Sequence, residues 1–276
     1  GEEAEALADA LNRPAPVCLR PNPLRGRPEA LVAQLAAEGV PTRAGRFAAG
    51  ARVVTAKRAN LYGTPSFRDG AFEVQDEASQ LVAALVGASP GEAVLDLCAG
   101  AGGKTLALAG AVSPGGTVHA ADPDLDALAR LRVRAARAGA APLVAIHGAA
   151  PPADLRVDAA LVDAPCSALG PLRRGPDLRW RLDPAAFAAL PALQLALLAR
   201  AARHVRPGGR LVYATCTFRQ EENEAVALRF ERDHPAFRRV APSADPSLLT
   251  ADKFARTWPH RGGLDGFFAA VYVHAN

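Results

Sequence analysis

The chain predicts an α/β fold: a doubly wound parallel sheet over residues 75–276, preceded by a small α+β module over residues 1–74. Two observations carry this. From residue 92 onward, short apolar runs of strand length alternate with helical stretches, the rhythm of buried parallel strands joined by crossover helices. Before residue 75 the elements are short, mixed in type and rich in basic residues.

In order, residues 16–20 read as extended, 28–38 as a helix stopped by Gly39, and 52–55 and 71–74 as short strands. Residues 75–86 place Ala78, Leu81, Val82 and Leu85 at helical spacing, and Ser89-Pro90-Gly91 breaks the pattern. The apolar runs 93–97, 117–121, 143–146, 159–162 and 211–214 follow as strands. The last run, 267–273, has no long helix before it and is expected to join the sheet antiparallel.

The chain has 276 residues, enough to bury a core without disulfide or metal staples. No apolar run of ~18 residues is free of charge, Pro or Gly, which excludes a spanning helix and leaves a soluble protein as the expectation. Cys18, Cys98, Cys166 and Cys216 are too scattered for a disulfide scaffold or paired-cysteine zinc site, so a reducing, cytoplasmic compartment is expected. The histidines lack metal-ligand spacing, so no metal is expected. The first nine residues carry four acids and no apolar core, unlike a secretory signal. Met is absent throughout, position 1 included, so a processed or trimmed product is the expectation.

Charge is uneven. The formal balance is +4, yet residues 13–68 hold ten basic side chains against two acids, a local +8 that leaves −4 for the rest. Such a basic segment is the footprint of phosphate neutralisation, or else a solvated basic face.

In a doubly wound sheet the ligand sits outside the carboxyl ends of the strands. Three loops there stand out. The first, Asp96-Leu97-Cys98-Ala99-Gly100-Ala101-Gly102-Gly103-Lys104-Thr105, is a glycine-rich turn that lets backbone approach a ligand. A P-loop would need glycine where Cys98 stands, and a G-x-G-x-x-G register from Gly100 and Gly102 ends on Thr105. What remains is a cofactor with an adenosine part and no pyrophosphate. Asp122, 20 residues after Gly102, is placed either to accept from a ribose diol or to cap the next helix. Lys104 would steer a phosphate or carboxylate, or simply be solvated.

The second loop is Asp163-Ala164-Pro165-Cys166-Ser167, followed by Gly170 and a stretch with Arg173, Arg174, Arg179, Trp180 and Arg181. Arginines attract phosphate, and an indole offers a stacking face. The third is Tyr213-Ala214-Thr215-Cys216-Thr217, with Gln220-Glu221-Glu222-Asn223-Glu224 read as the opening of a helix. Two cysteines delivered to one rim are hard to explain as packing, and loop cysteines near positive charge favour the thiolate. Cys18, on an apolar strand of the basic module, reads as core, as do Trp258 and the Phe267-Phe268 pair.

From about Pro14 to the end, these segments together resemble the Nop/Sun family of RNA cytosine-5 methyltransferases, most nearly its bacterial small-subunit ribosomal RNA branch. The likeness rests on Val74-Gln75-Asp76 with Ala78-Ser79, the 96–105 turn, 163–180, 213–224, and Asp265-Gly266-Phe267-Phe268. It implies a Rossmann-like class I methyltransferase sheet and an RRM-like RNA-binding module ahead of it. It also implies S-adenosylmethionine held by Cys98, Ala99, Gly100, Ala101, Gly102, Gly103 and Lys104, with Asp122 at the ribose and Asp163 near both cofactor and target base. Cys216 would be the nucleophile and Cys166 would assist release, with ribosomal RNA as partner; from their own chemistry Arg173, Arg174, Arg179 and Trp180 are the expected RNA contacts, and a monomer is the expected working state. One position departs, since Ala149 stands where the family has an acid near the adenine. The amino-terminal helical domain of some relatives is also missing, which fits a fragment or a shorter subtype.

Carbon 5 of cytosine is a poor nucleophile, and thiolate addition at carbon 6 makes it enamine-like, so the reaction needs a nucleophile, an elimination base and a partner for ring nitrogen 3. Two cysteines and an aspartate fit. A rival assignment remains open, because Pro165-Cys166 matches the pair that carries the nucleophile in DNA cytosine-5 methyltransferases. Other classes stay in view: a non-catalytic RNA-binding ribosome-assembly factor on the same scaffold, and a small-molecule methyltransferase, against which the basic segments argue.

Overall fold

A computed structural model describes residues 1–180 and 183–276; Arg181, part of the arginine stretch above, lies outside the described residues. The contacts divide the chain into two compact units, 16–152 and 1–15 with 153–276. The chain opens on α1 (Glu2–Leu11), which packs with the carboxyl-terminal part.

Residues 16–152 begin with β1 (Cys18–Pro21), α2 (Pro28–Ala37), β2 (Thr42–Ala44), β3 (Arg52–Val54), α3 (Pro65–Arg68) and β4 (Phe72–Val74). The strands form an antiparallel sheet in the order β2-β3-β1-β4. Leu19, Leu31, Leu35, Val40, Leu61 and Phe72 make its core. Helix α2 has Pro28 at its first turn and stops where Gly39 takes a φ of +77°. The Val40 N–H then donates to Leu35 O (2.7 Å) and Gly39 N–H to Ala36 O (3.1 Å), closing the helix end with an apolar residue tucked under it.

The same unit continues through α4 (Glu77–Leu85), β5 (Ala93–Asp96), α5 (Gly103–Val112), β6 (Thr117–Ala121), α6 (Leu125–Ala138) and β7 (Val144–His147). Strands β5, β6 and β7 run parallel. Glu73, almost fully buried, takes ion pairs from Arg134 (2.8 Å) and Arg137 of α6, tying β4 to that helix. Arg20 is also inside: its Nε donates to Gln75 Oε1 (2.7 Å) and its Nη2 to Gly103 O (3.4 Å). Burial pushes its guanidinium down to about 10, against the pull of Glu73. Several cations of the basic stretch are therefore structural: Arg25 donates to Arg137 O (2.7 Å) and Arg52 to Thr42 Oγ1 (3.1 Å).

In the other unit stand β8 (Val157–Asp163), α7 (Pro184–Phe187), α8 (Leu190–Ala202), β9 (Val205–Thr215), α9 (Glu224–Asp233), β10 (Phe237–Val240), β11 (Ala255–Thr257), α10 (Pro259–Gly262) and β12 (Phe267–His274). β8 pairs with β9 in parallel, while β12 lies antiparallel to β9 and carries β10 and β11 antiparallel on itself. Tyr213, Tyr272, Phe230 and Phe268 are fully buried around these strands. The stretch Ala185–Ala202 is long and apolar enough, by length and composition, to cross a membrane. It contains Pro191 and Arg200, and α8 buries Gln194, Leu198, Ala201 and Ala202 where it packs on β8 and β9.

Candidate active site

The glycine turn after β5 is held in shape from several sides. At the end of the strand, buried Asp96 accepts from Thr105 Oγ1 (2.7 Å). Gly100 has φ +51° and donates its N–H to Asp122 Oδ2 (2.9 Å), while Arg134 Nη1 reaches Ala101 O (2.6 Å). Gly102 has φ +87°, and a Cβ there would lie 2.2 Å from Leu131 Cδ1. α5 then starts with no side-chain cap, so its first N–H groups face the turn. This arrangement suits a group with one carboxylate or hydroxyls better than a chain of phosphates, because part of the amide set is already taken by Asp122. Lys104 is buried, so solvation does not account for it.

Asp122 is not the helix cap. That role belongs to Asp124, whose Oδ1 accepts from Ala127 N (2.9 Å), and Asp122 Oδ1 accepts from Asp124 N (2.8 Å). Cys98 is half-buried in the turn, Ala149 is exposed in the bend after β7, and Cys18 is buried in β1.

In the carboxyl-terminal unit, Cys166 and Cys216, 50 residues apart, bring their sulfurs to 3.3 Å. The Cys216 backbone N–H also points at Cys166 Sγ (3.3 Å). The Cys216 thiol and the backbone N–H groups of Ala168 and Cys216 hold Cys166 below the ordinary thiol value, against burial and the charge of Asp163. Asp163 stands at the end of β8, three residues before Cys166. Ala168 has φ +52°, the left-handed conformation that aims its N–H back at the thiol.

Glycine is required where these loops meet. A Cβ on Gly170 would lie 1.9 Å from Gly266 O, and Gly170 N–H donates to Cys216 O (2.9 Å). The distant Asp265-Gly266 segment is therefore part of the support of the cysteine loops. Asp265 also takes Arg173 Nε (3.0 Å) and Arg174 Nε. Arg173 is thus turned inward, with 4% of its side chain exposed, and its Nη2 donates to Gly263 O (2.6 Å). Arg179 donates to Asn12 Oδ1 (2.7 Å) and Leu11 O (2.6 Å). Trp180 is 89% exposed.

The residues around the cysteines that sequence reasoning missed are Gln194, Glu222 and Asn223, all fully buried. Glu222 Oε2 accepts from Ser167 N (2.9 Å) and Gln194 Nε2 (3.0 Å). Asn223 accepts from Thr215 Oγ1 (2.5 Å) and donates to Thr217 O (3.0 Å). Of residues 220–224, read above as the opening of a helix, only Glu224 lies in α9; Asn223 occupies its N-cap position but makes no cap hydrogen bond, because its side chain is committed to the cysteine loop. The signal was the polar run Gln220–Glu224 directly after a cysteine loop.

Residues 83–273 match the family described as 16S rRNA methyltransferase RsmB/F, and residues 1–58 match the ferredoxin-like domain described for RsmF/B-like methyltransferases. The chain belongs to the RsmB/F family. A probable ribosomal RNA small subunit methyltransferase B from Synechocystis is 36% identical over 97% of this chain and 62% of its own length. The crystal structure of PH0851 is 33% identical with a TM-score of 0.90, over 99% of this chain and 62% of that one. A methyltransferase homolog from Pyrococcus horikoshii is 27% identical with a TM-score of 0.85, over 99% of this chain and 91% of that one. This RsmB/F chain spans about three fifths of the length of the curated relatives it matches. The likeness makes its fold Rossmann-like with a mixed sheet, preceded by a ferredoxin-like domain, which is the α/β class expected above.

Proposed function

We propose that this chain methylates carbon 5 of a cytosine in RNA, with ribosomal RNA as substrate and S-adenosylmethionine as donor, through a covalent cysteine adduct. The observation that carries the reading is the 3.3 Å approach of Cys166 and Cys216, with a proton-sharing contact between them. When bound, the sulfonium donor supplies an electrophilic methyl group, and Cys98 to Lys104 with Asp122 and Asp163 are the residues proposed to hold it. The names of the relatives, which speak of ribosomal RNA and small-subunit methyltransferases, support the substrate class.

The residues act as follows. The Cys216 thiol gives up its proton to solvent, leaving Cys166 free to receive the proton that departs later. Cys216 Sγ then adds to carbon 6, with Asp163 at ring nitrogen 3, and the electron pair gained at carbon 5 accepts the methyl group. Cys166 assists loss of the carbon 5 proton, and the returning pair expels Cys216. The target base has to be unstacked, so a loop or single strand is the expected form of RNA. Trp180, with Arg173, Arg174 and Arg179 in the same segment of the sequence, is the proposed contact for that strand. The functional division is placed at 74/75, with RNA binding before it and catalysis after it. The working state is a monomer in the cytoplasm without membrane or metal.

One observation favours a second reading. The lowered Cys166 thiol would also suit Cys166 as nucleophile. A denaturing gel of Cys166→Ala and Cys216→Ala, each with donor and unmodified ribosomal RNA, separates the two. An RNA adduct that survives denaturation in Cys166→Ala alone supports Cys216 as nucleophile, and the opposite pattern supports Cys166. No adduct in either variant, with no methyl transfer by the wild type, leaves a non-catalytic RNA-binding assembly factor.

A further inference from the structure

Each of the two cysteines is bracketed by neighbours that buried side chains pin, Gln194 with Glu222 around Cys166 and Asn223 alone around Cys216. On either side of Cys166, Pro165 O accepts from Gln194 Nε2 (2.9 Å) and Ser167 N donates to Glu222 Oε2 (2.9 Å), and Gln194 Nε2 also donates to that same oxygen (3.0 Å). On either side of Cys216, Thr215 Oγ1 donates to Asn223 Oδ1 (2.5 Å) and Asn223 Nδ2 donates to Thr217 O (3.0 Å). The two brackets are joined by the Ser167 and Thr217 hydroxyls, 2.7 Å apart. Glu222 and Asn223 are adjacent in sequence, so a single turn grips both loops.

A buried carboxylate is costly unless its partners are well placed. Among the described residues, Glu222 Oε1 has no hydrogen-bond partner, and Arg219 Nε lies 3.7 Å from it, although the side chain is fully buried. An apolar residue would fill this space without that cost. What the carboxylate provides is a fixed oxygen that draws the Ser167 amide and the Gln194 amide together behind Cys166. Polar networks of this kind hold reacting groups to a narrow geometry.

We infer that Glu222 and Asn223 are positioning residues with divided duties: Glu222 sets Cys166 for release, and Asn223 sets Cys216 for attack. The inference rests on the cysteine chemistry proposed above and goes beyond it by assigning opposite failures to two adjacent residues. Loss of Glu222 leaves attack intact and stalls elimination, so the covalent RNA complex accumulates. Loss of Asn223 displaces the nucleophile, and the complex does not form. A misplacement of ~1 Å at a reacting group costs about 100-fold in rate, which sets the scale expected for kcat in both variants.

The test uses the full chain with donor and unmodified ribosomal RNA, read on denaturing gels and by steady-state kinetics. In the Cys166→Ala background, which traps the adduct, added Asn223→Ala should lower adduct yield at least tenfold, while added Glu222→Ala should leave it within twofold. In the presence of both cysteines, Glu222→Ala should accumulate adduct and lose kcat with KM for RNA and donor little changed. Glu222→Gln, which retains an oxygen for both amides, should recover most of kcat. Should Glu222→Ala fail to fold, Gln194→Leu, which cuts the tie to Pro165 on the other side of Cys166 and the bond to Glu222, takes its place. Equal loss of adduct from both substitutions in the trapping background would overturn the division of duties, as would a tenfold rise in KM at unchanged kcat for Glu222→Ala. If Cys166→Ala itself gives no adduct, the assignment of Cys216 as nucleophile fails by its own control. The positioning claim is then read from iodoacetamide alkylation followed by peptide mass. Glu222→Ala should change the rate at Cys166 alone and Asn223→Ala at Cys216 alone, and parallel changes at both would refute it.

Discussion

Replacing Gly102 by alanine separates the two demands that the glycine turn makes on its backbone. The φ of +87° costs an L-residue ~1–2 kcal/mol. The new Cβ also meets Leu131 Cδ1 at 2.2 Å, and Leu131 is fully buried, so it cannot swing aside without disturbing its neighbours. Overpacking of that kind costs ~1–3 kcal/mol. The sum is about 2–5 kcal/mol, and at ~2–4 °C per kcal/mol for a chain of this size the melting temperature should fall by roughly 4–20 °C. Gly100 is the control: its φ is +51°, but a Cβ there meets nothing within 4 Å, so Gly100→Ala should cost only the backbone share, ~1–2 kcal/mol. Thermal unfolding followed by circular dichroism measures both. In a Leu131→Ala background the clash is gone, and Gly102→Ala should cost only ~1–2 kcal/mol, a coupling of about 1–3 kcal/mol. Equal cost of Gly102→Ala in both backgrounds, or equal cost at Gly100 and Gly102, would refute the steric account.

Four further outcomes are expected. Asp265→Ala strands the buried guanidinium of Arg173 and should cost ~3–5 kcal/mol in urea unfolding, whereas removing both partners with apolar residues should cost much less. Cys166 should react with iodoacetamide at a lower pH than an ordinary thiol, and Cys216→Ala should move that midpoint upward, because the Cys216 thiol is the largest cause of the shift. His119 and His147 are stacked with ring nitrogens 3.1 Å apart, and burial lowers both. Their folded forms resist protonation, so the stability they allow is complete above their ordinary value of 6.5 and is lost as the pH falls below it; His147→Gln should flatten this decline in a series of urea titrations. Trp180→Ala should weaken RNA binding by ~1–3 kcal/mol for each stacked base, with the salt slope of binding unchanged because no cation is removed.

How much of this was legible in the sequence depends on where each residue finds its partner. Strands β5, β6 and β8 could be read directly, since parallel strands buried on both faces carry apolar runs such as 93–95 and 159–162. Strands β2, β10 and β11 could not. Thr42–Ala44, Phe237–Val240 and Ala255–Thr257 have three or four residues with an arginine in each, and they are strands because β3 and β12 offer them an edge. The same distinction runs through the site. The cysteines announce themselves because each follows a strand end, a feature local to its own segment.

Charged residues are the ones that composition misplaces, and the reason is physical. A count of arginines treats each as a cation offered to solvent, yet Arg20 spends its guanidinium on Gln75 and a backbone carbonyl, and Arg173 on Asp265, 92 residues away. Glu222 is the converse case, an acid in a polar run that reads as a solvated helix start. Burying a charge is so costly that it persists only where donors converge on it, and those donors, Ser167 and Gln194, come from other elements of the fold. The residues hardest to read from the sequence are therefore those with the strongest claim to precise placement. In this chain they surround the two sulfurs.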